Sequence, residues 1–128
     1  MKITAFNPLI VTRDAESVIG LFEALGFERS HTITVNSGKS DVTSVRMKDA
    51  AGNHVDVAQA NKIPKDLTMI RMNVDDFDEA YDMLISKGFT DPRGRDNTVD
   101  TATNRSAMLT SPSGFSFDLC QHIKEDRS

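Results

Sequence analysis

Along the first half of the chain the apolar positions alternate between two periods. An apolar-rich stretch from Ile3 to Thr12, with Pro8-Leu9-Ile10-Val11 at its centre, reads as a strand. Pro8 has no amide proton and favours an edge or an irregular start there. Val18, Ile19, Leu21, Phe22 and Leu25 then follow helical spacing. Asp14 suits the N-cap, Glu16 the positive first turn, and Gly26 the left-handed residue after the last turn, which predicts a helix over 14–25. Alternation returns in His31–Val35, Val42–Lys48 and Asn53–Gln59, with turns at Asn36-Ser37-Gly38 and Asp49–Gly52. Three strands in a meander are the natural reading.

The second half repeats this order. Leu67 to Val74 reads as a strand, and Asp76 with Glu79 makes a start like a capping box. Ala80, Met83 and Leu84 form the apolar stripe of a helix that Gly88 ends. Strands follow at Ser106–Thr110 and Phe115–Gln121, divided by the Ser111-Pro112-Ser113-Gly114 turn. Residues 91–104 have almost no apolar content and read as a loop, a candidate lid, or a poor edge strand.

Sliding the sequence over itself by 62 positions superposes Asp14 on Asp76, Gly26-Phe27 on Gly88-Phe89, Ser44 on Ser106, Gly52 on Gly114, Asp56 on Asp118 and Gln59 on Gln121. One shift serves every pair, so the chain is a duplication. The modules span about 1–62 and 63–123, with Ile63-Pro64-Lys65-Asp66 as the link and 124–128 as a tail. A module of roughly 60 residues buries too little surface to be comfortable alone, so the two are expected to share a single domain.

Composition narrows the function. Fifteen basic and nineteen acidic side chains give a formal charge of -4, which offers no chain-wide positive field for nucleic acid or anionic lipid. Cys120 is the single cysteine, which excludes an intrachain disulfide and a cysteine-cluster zinc site and suits a reducing, cytoplasmic setting. No apolar run approaches the roughly 20 residues that span a bilayer, and the start lacks the apolar core of a secretory signal. Neither nucleic acid nor membrane is an expected partner.

The tandem βαβββ order resembles the vicinal oxygen chelate superfamily, which includes glyoxalase I, bleomycin-resistance proteins, extradiol dioxygenases and methylmalonyl-CoA epimerases. The residues that carry the resemblance are Val74-Asp75-Asp76-Phe77-Asp78-Glu79-Ala80 at a strand-to-helix junction, the Gly26-Phe27 and Gly88-Phe89 helix exits, and Pro112-Ser113-Gly114 leading into Phe117-Asp118-Leu119. The resemblance implies an α+β fold in which the modules form a curved mixed sheet, or cup, with helices on its outer face, and it implies a homodimer. Metal-dependent members place a ligand on the first and last strand of each module, commonly His and Glu. The equivalent positions here are Asn7, Asp56, Met69 and Asp118. Both imidazoles are missing and both acids are shorter. A thioether is a poor ligand for hard or borderline divalent ions, so neither a metal nor another cofactor is expected.

Strand parity then gives the lining of the cup. Asn7, Leu9 and Val11 share a face, as do Met69, Arg71 and Asn73, and Ser44, Arg46 and Lys48 match Ser106, Met108 and Thr110. His54, Asp56 and Ala58 point inward with Ser116, Asp118 and Cys120, which leaves Phe115, Phe117 and Leu119 under a helix. The predicted ligand-binding set is Asn7, Arg46, His54, Asp56, Met69, Arg71, Asn73, Met108 and Asp118. Arg46 and Arg71 either clamp a carboxylate or phosphate, or pair with Asp56 and Asp118 and neutralise them. His54 with Asp56 is the candidate acid–base pair, while Cys120 beside Asp118 has the wrong electrostatics for a nucleophile. His31 is assigned to the surface.

Two functions follow. The first is a metal-free protein that binds a small molecule, a polar or anionic metabolite or antibiotic. With no Trp and one Tyr, the chain lacks the aromatic groups that a large aromatic antibiotic such as bleomycin would need. The alternative is a glyoxalase-like metal-dependent lyase, isomerase or dioxygenase with a non-standard site, and the sequence leaves open whether the cup turns a substrate over. A third possibility is a subunit whose cup is vestigial.

Overall fold

The computed structural model describes residues 1–36, 41–95, 98–100 and 104–122. The element order is β1 (Ile3–Thr12), α1 (Ala15–Ala24), β2 (Glu28–Asn36), β3 (Asp41–Lys48), β4 (His54–Gln59), β5 (Leu67–Val74), α2 (Phe77–Ser86), β6 (Val99–Asp100), β7 (Asn104–Thr110) and β8 (Ser116–His122). This is the α+β, twice-repeated βαβββ order expected from the sequence. The chain forms two compact units, residues 7–68 in one and residues 1–6 with 69–128 in the other.

In the unit of residues 7–68 the strand order is β2-β3-β4-β1. β1 and β4 run parallel, and their ladder joins Leu9 to Asp56 and runs to Thr12 opposite Gln59. It begins just after Pro8, the one residue that cannot donate to it. β2–β3 and β3–β4 are antiparallel, with a register shift between Arg29 and His31. The other unit repeats the arrangement as β5-β8-β7-β6, with β5 and β8 parallel and the remaining pairs antiparallel. The weak segment after α2 does supply a strand, the two-residue β6 paired to β7. Residues 96, 97 and 101–103 of the candidate lid, the turn at 37–40 and the tail lie outside the described residues.

Each helix packs one face of its sheet. Val45, Met47, Val55 and Val57 meet Ala15 and Ile19, with Val18, Phe22 and Phe27 at the margin. In the other unit Met72, Val74, Leu109 and Leu119 meet Phe77, Ala80, Tyr81 and Leu84. Full burial of a side chain such as Ile19, Met47 or Leu119 contributes roughly 1.5–3 kcal/mol. The alternation that predicted Leu119 under a helix holds, and Phe117 packs partly buried against the same core. Phe115 departs from the expectation. It precedes β8 and stays 49% exposed, with its ring against Phe89 and Phe117.

The duplicated residues explain themselves as paired joints. Asp14 and Asp76 cap their helices by accepting from the backbone N–H of Ser17 and Glu79. Gln59 and Gln121 reach from the last strand of each module to accept from the first helical N–H, that of Ala15 at 2.8 Å and of Phe77 at 2.7 Å. Two otherwise unpaired donors of each helix end are thus satisfied. At the other end Gly26 and Gly88 take φ of +102° and +94°, and Phe27 and Phe89 return hydrogen bonds to the carbonyls of Phe22 and Leu84. This joint fixes the helix against the sheet, and it leaves the opposite sheet face to the polar residues.

Candidate functional site

The face of residues 7–68 turned away from α1 carries Asn7, Leu9, Arg46, His54 and Asp56. Asp56 lies in the middle of this face because β4 is flanked by β1 and β3, with Leu9 opposite on one side and Arg46 on the other. Its carboxylate is 1% exposed. A buried carboxylate needs a partner, and Arg46 supplies one by donating from Nε to Oδ1 at 3.0 Å and from Nη2 to Oδ2 at 3.3 Å. Asn7 Nδ2 adds a third bond, to Oδ2 at 3.1 Å, and also donates to the Pro8 carbonyl at 3.0 Å. Both amide hydrogens of Asn7 are thereby committed. Its Oδ1 is buried and without a hydrogen-bond partner.

His54 stands one pleat from Asp56 on the same face, half-buried and opposite Lys48. His31, assigned to the surface, is exposed but lies opposite Arg46 on β2. The shift in the β2–β3 register brings it there, and no pattern of residue types marks that irregularity in the sequence.

The other unit builds its own pair. Arg71 on β5 lies opposite Asp118 on β8, and its Nε donates to Oδ2 at 3.0 Å. Met108 on β7 is the neighbour of Asp118 on the other side and is 41% exposed. Asn73 lies opposite Cys120, which is buried and donates weakly from Sγ to the Asp118 carbonyl at 3.7 Å. Met69 is buried on β5. In each module, then, the duplicated acid has an arginine on one flanking strand and an apolar residue on the other, with the sides exchanged: Leu9 and Arg46 about Asp56, Met108 and Arg71 about Asp118. Of the two roles open to these arginines, the observed bonds are those of pairing with the acids.

This donor set suits a divalent cation poorly. Both oxygens of Asp56 accept from a guanidinium, one also from an amide, and Asp118 accepts from Arg71. A cation at either carboxylate would lie beside a fixed positive charge. Among the described residues no three His, Cys, Asp or Glu side chains come together in a metal-binding group. A separate shallow cleft of about 260 Å³ is lined by Gly26, Glu28, Arg29, Ser30, Lys48, Asp49 and Ala50 and contains none of the predicted site residues.

No protein-family model matches the chain, and no curated protein sequence matches it significantly. Solved structures do. A glyoxalase/bleomycin resistance protein/dioxygenase superfamily member from Vibrio splendidus 12B01 is similar with a TM-score of 0.55 at 18% identity, over 94% of this chain and 99% of that one. A glyoxalase I mutant from Zea mays gives 0.65 at 16% identity over 94% of this chain, and a 4-hydroxymandelate synthase mutant from Streptomyces coelicolor gives 0.59 at 11% over 99%. The chain spans 44% of the maize protein and 50% of the Streptomyces one. The fold is therefore the vicinal oxygen chelate fold of the glyoxalase, bleomycin-resistance and dioxygenase proteins. Among the described residues no helix is long and apolar enough to cross a membrane.

Proposed function

We propose that the protein binds a small polar or anionic molecule without a resident divalent cation. The observation that carries this reading is the Arg46–Asp56–Asn7 cluster: where metal-dependent relatives are expected to present a carboxylate to a cation, this chain supplies the positive charge itself, as a guanidinium bonded to both oxygens. A permanently charged, planar group recognises oxyanions by hydrogen bonds rather than by polarising a carbonyl as a Lewis acid. The family resemblance supports a homodimer, and a lone buried thiol supports a reducing, cytoplasmic setting.

The test is metal analysis of gently purified protein together with thermal unfolding across a panel of small acids, phosphates and neutral polar compounds. The expected result is no stoichiometric Zn, Ni, Mn or Fe, with stabilisation by anionic members of the panel. Stoichiometric cation would overturn the reading.

A further inference from the structure

We infer that the outer edge of the Arg46 guanidinium and the buried amide oxygen of Asn7 form a receptor for a small carboxylate bearing a hydroxyl or ammonium group next to its acid. This rests on the ligand-binding reading above and names the class of ligand.

The anion site follows from how Arg46 is used. Its Nε and Nη2 are bonded to Asp56, and a guanidinium has five N–H donors in a rigid fork. Nη1 takes no part in the grip on Asp56, and the side chain is 32% exposed. Asp56 thus holds the cation by its inner edge and fixes its plane. The Nη1–Nη2 edge remains, with the geometry for two parallel bonds to an oxyanion. Lys48, one pleat along the same strand, lies opposite Glu28 on the β2–β3 ladder.

The second group narrows the class. Because Asn7 Nδ2 is spent on Asp56 and Pro8, the amide cannot turn to satisfy its own oxygen without losing both bonds. Oδ1 is a desolvated acceptor with no donor, and its uncompensated desolvation is relieved by any ligand that brings an N–H or O–H to it. Arg46 and Asn7 meet at one atom, Asp56 Oδ2, at 3.3 and 3.1 Å, which sets the guanidinium and the amide side by side. A plain carboxylate serves one of them, and a 2-hydroxy or 2-amino carboxylate serves both. Oδ1 is screened from solvent, so the ligand's donor displaces atoms packed over it on binding.

The test is a titration of the full chain with lactate, alanine and propionate, followed by backbone amide chemical shifts. Lactate or alanine is expected to bind roughly five- to tenfold more tightly than propionate, with the largest shifts around Arg46 and Asp56. Asn7→Leu should bring that ratio to about one while propionate still binds. Arg46→Lys, which keeps the charge but loses the fork, should weaken all three, and if that variant does not fold, the Asn7→Leu ratio still decides. Equal binding of the three acids to the unsubstituted protein, a ratio unchanged in Asn7→Leu, or no carboxylate binding at all would each overturn the inference. The broader reading fails separately, on a stoichiometric cation in the purified protein.

Discussion

Arg46 and Asp56 face each other across the β3–β4 ladder, and the guanidinium bonds both oxygens of a carboxylate that is almost wholly buried. Removing Arg46 takes the guanidinium away from a buried carboxylate. Arg46→Met is expected to destabilise the protein by about 3 kcal/mol, whereas Arg46→Met combined with Asp56→Leu should lie within about 1–2 kcal/mol of the unsubstituted protein. Arg29→Met, which breaks the exposed pair with Glu16, should cost less than about 1 kcal/mol. Urea unfolding of the four proteins checks the order.

Gln59 and Gln121 do for their helices what no local residue does, since each reaches from a distant strand to the first helical N–H. Gln59→Leu and Gln121→Leu should each cost about 1 kcal/mol, the loss expected for an unsatisfied helix N-terminus. Equilibrium unfolding measures this, and no loss in either variant would mean that the caps are redundant with Asp14 and Asp76.

Gly26 and Gly88 hold equivalent left-handed positions but have different surroundings. An added Cβ at Gly26 would meet nothing within 4 Å, while at Gly88 it would lie 2.9 Å from Pro112 Cγ. Gly26→Ala is expected to cost about 1–2 kcal/mol from backbone conformation alone. Gly88→Ala should cost more, because the ring must also shift, and the difference in unfolding midpoints reads the steric contribution.

Tyr81 is the only tyrosine, so its titration can be followed by ultraviolet absorbance without interference. Burial, and then the hydrogen bond that its hydroxyl donates to Asp91 at 2.8 Å, push its pKa up to about 12. The folded state holds this proton more tightly than the unfolded chain, whose tyrosine titrates near 10. The resulting stability is fully present below pH 10 and is lost as the pH rises from about 10 to about 12. The absorbance midpoint should be near 12 in the folded protein and near 10 in denaturant, and Asp91→Asn should lower the folded midpoint.

Carboxylates act at the other end of the pH scale. Hydrogen bonds from Arg95 to Asp78, and from Ser17 to Asp14, hold both acids below the ordinary carboxylate value. Their contribution is present above the unfolded pKa near 3.8 and is lost as the pH falls through the lower folded values. Acid unfolding should therefore shift to higher pH in Asp78→Asn, a change that far-ultraviolet circular dichroism would detect.

The repeat makes most of the fold legible in the sequence. Asp14 and Asp76, Gly26 and Gly88, Gly52 and Gly114 are local punctuation, and local punctuation survives in a single sequence because each residue type answers to one backbone requirement. Strand parity assigns Asn7, Arg46, Asp56, Arg71, Met108 and Asp118 together to the lining of the cup. The place of His31 beside Arg46 was not legible, because a register shift obeys no residue pattern. Phe115 escaped for a related reason: alternation applies only within a strand, and Phe115 precedes β8.

Residue order alone thus determines two βαβββ modules and their helix ends. Residue type lets the inward arginines reach an acid, a ligand or both. Strand adjacency decides that each one is paired to an acid. Arg46 is ten residues from Asp56 and Arg71 is 47 from Asp118, yet each stands directly opposite its acid, and the buried carboxylate of Asp56 draws the nearest guanidinium because unpaired burial of its charge is the costlier state.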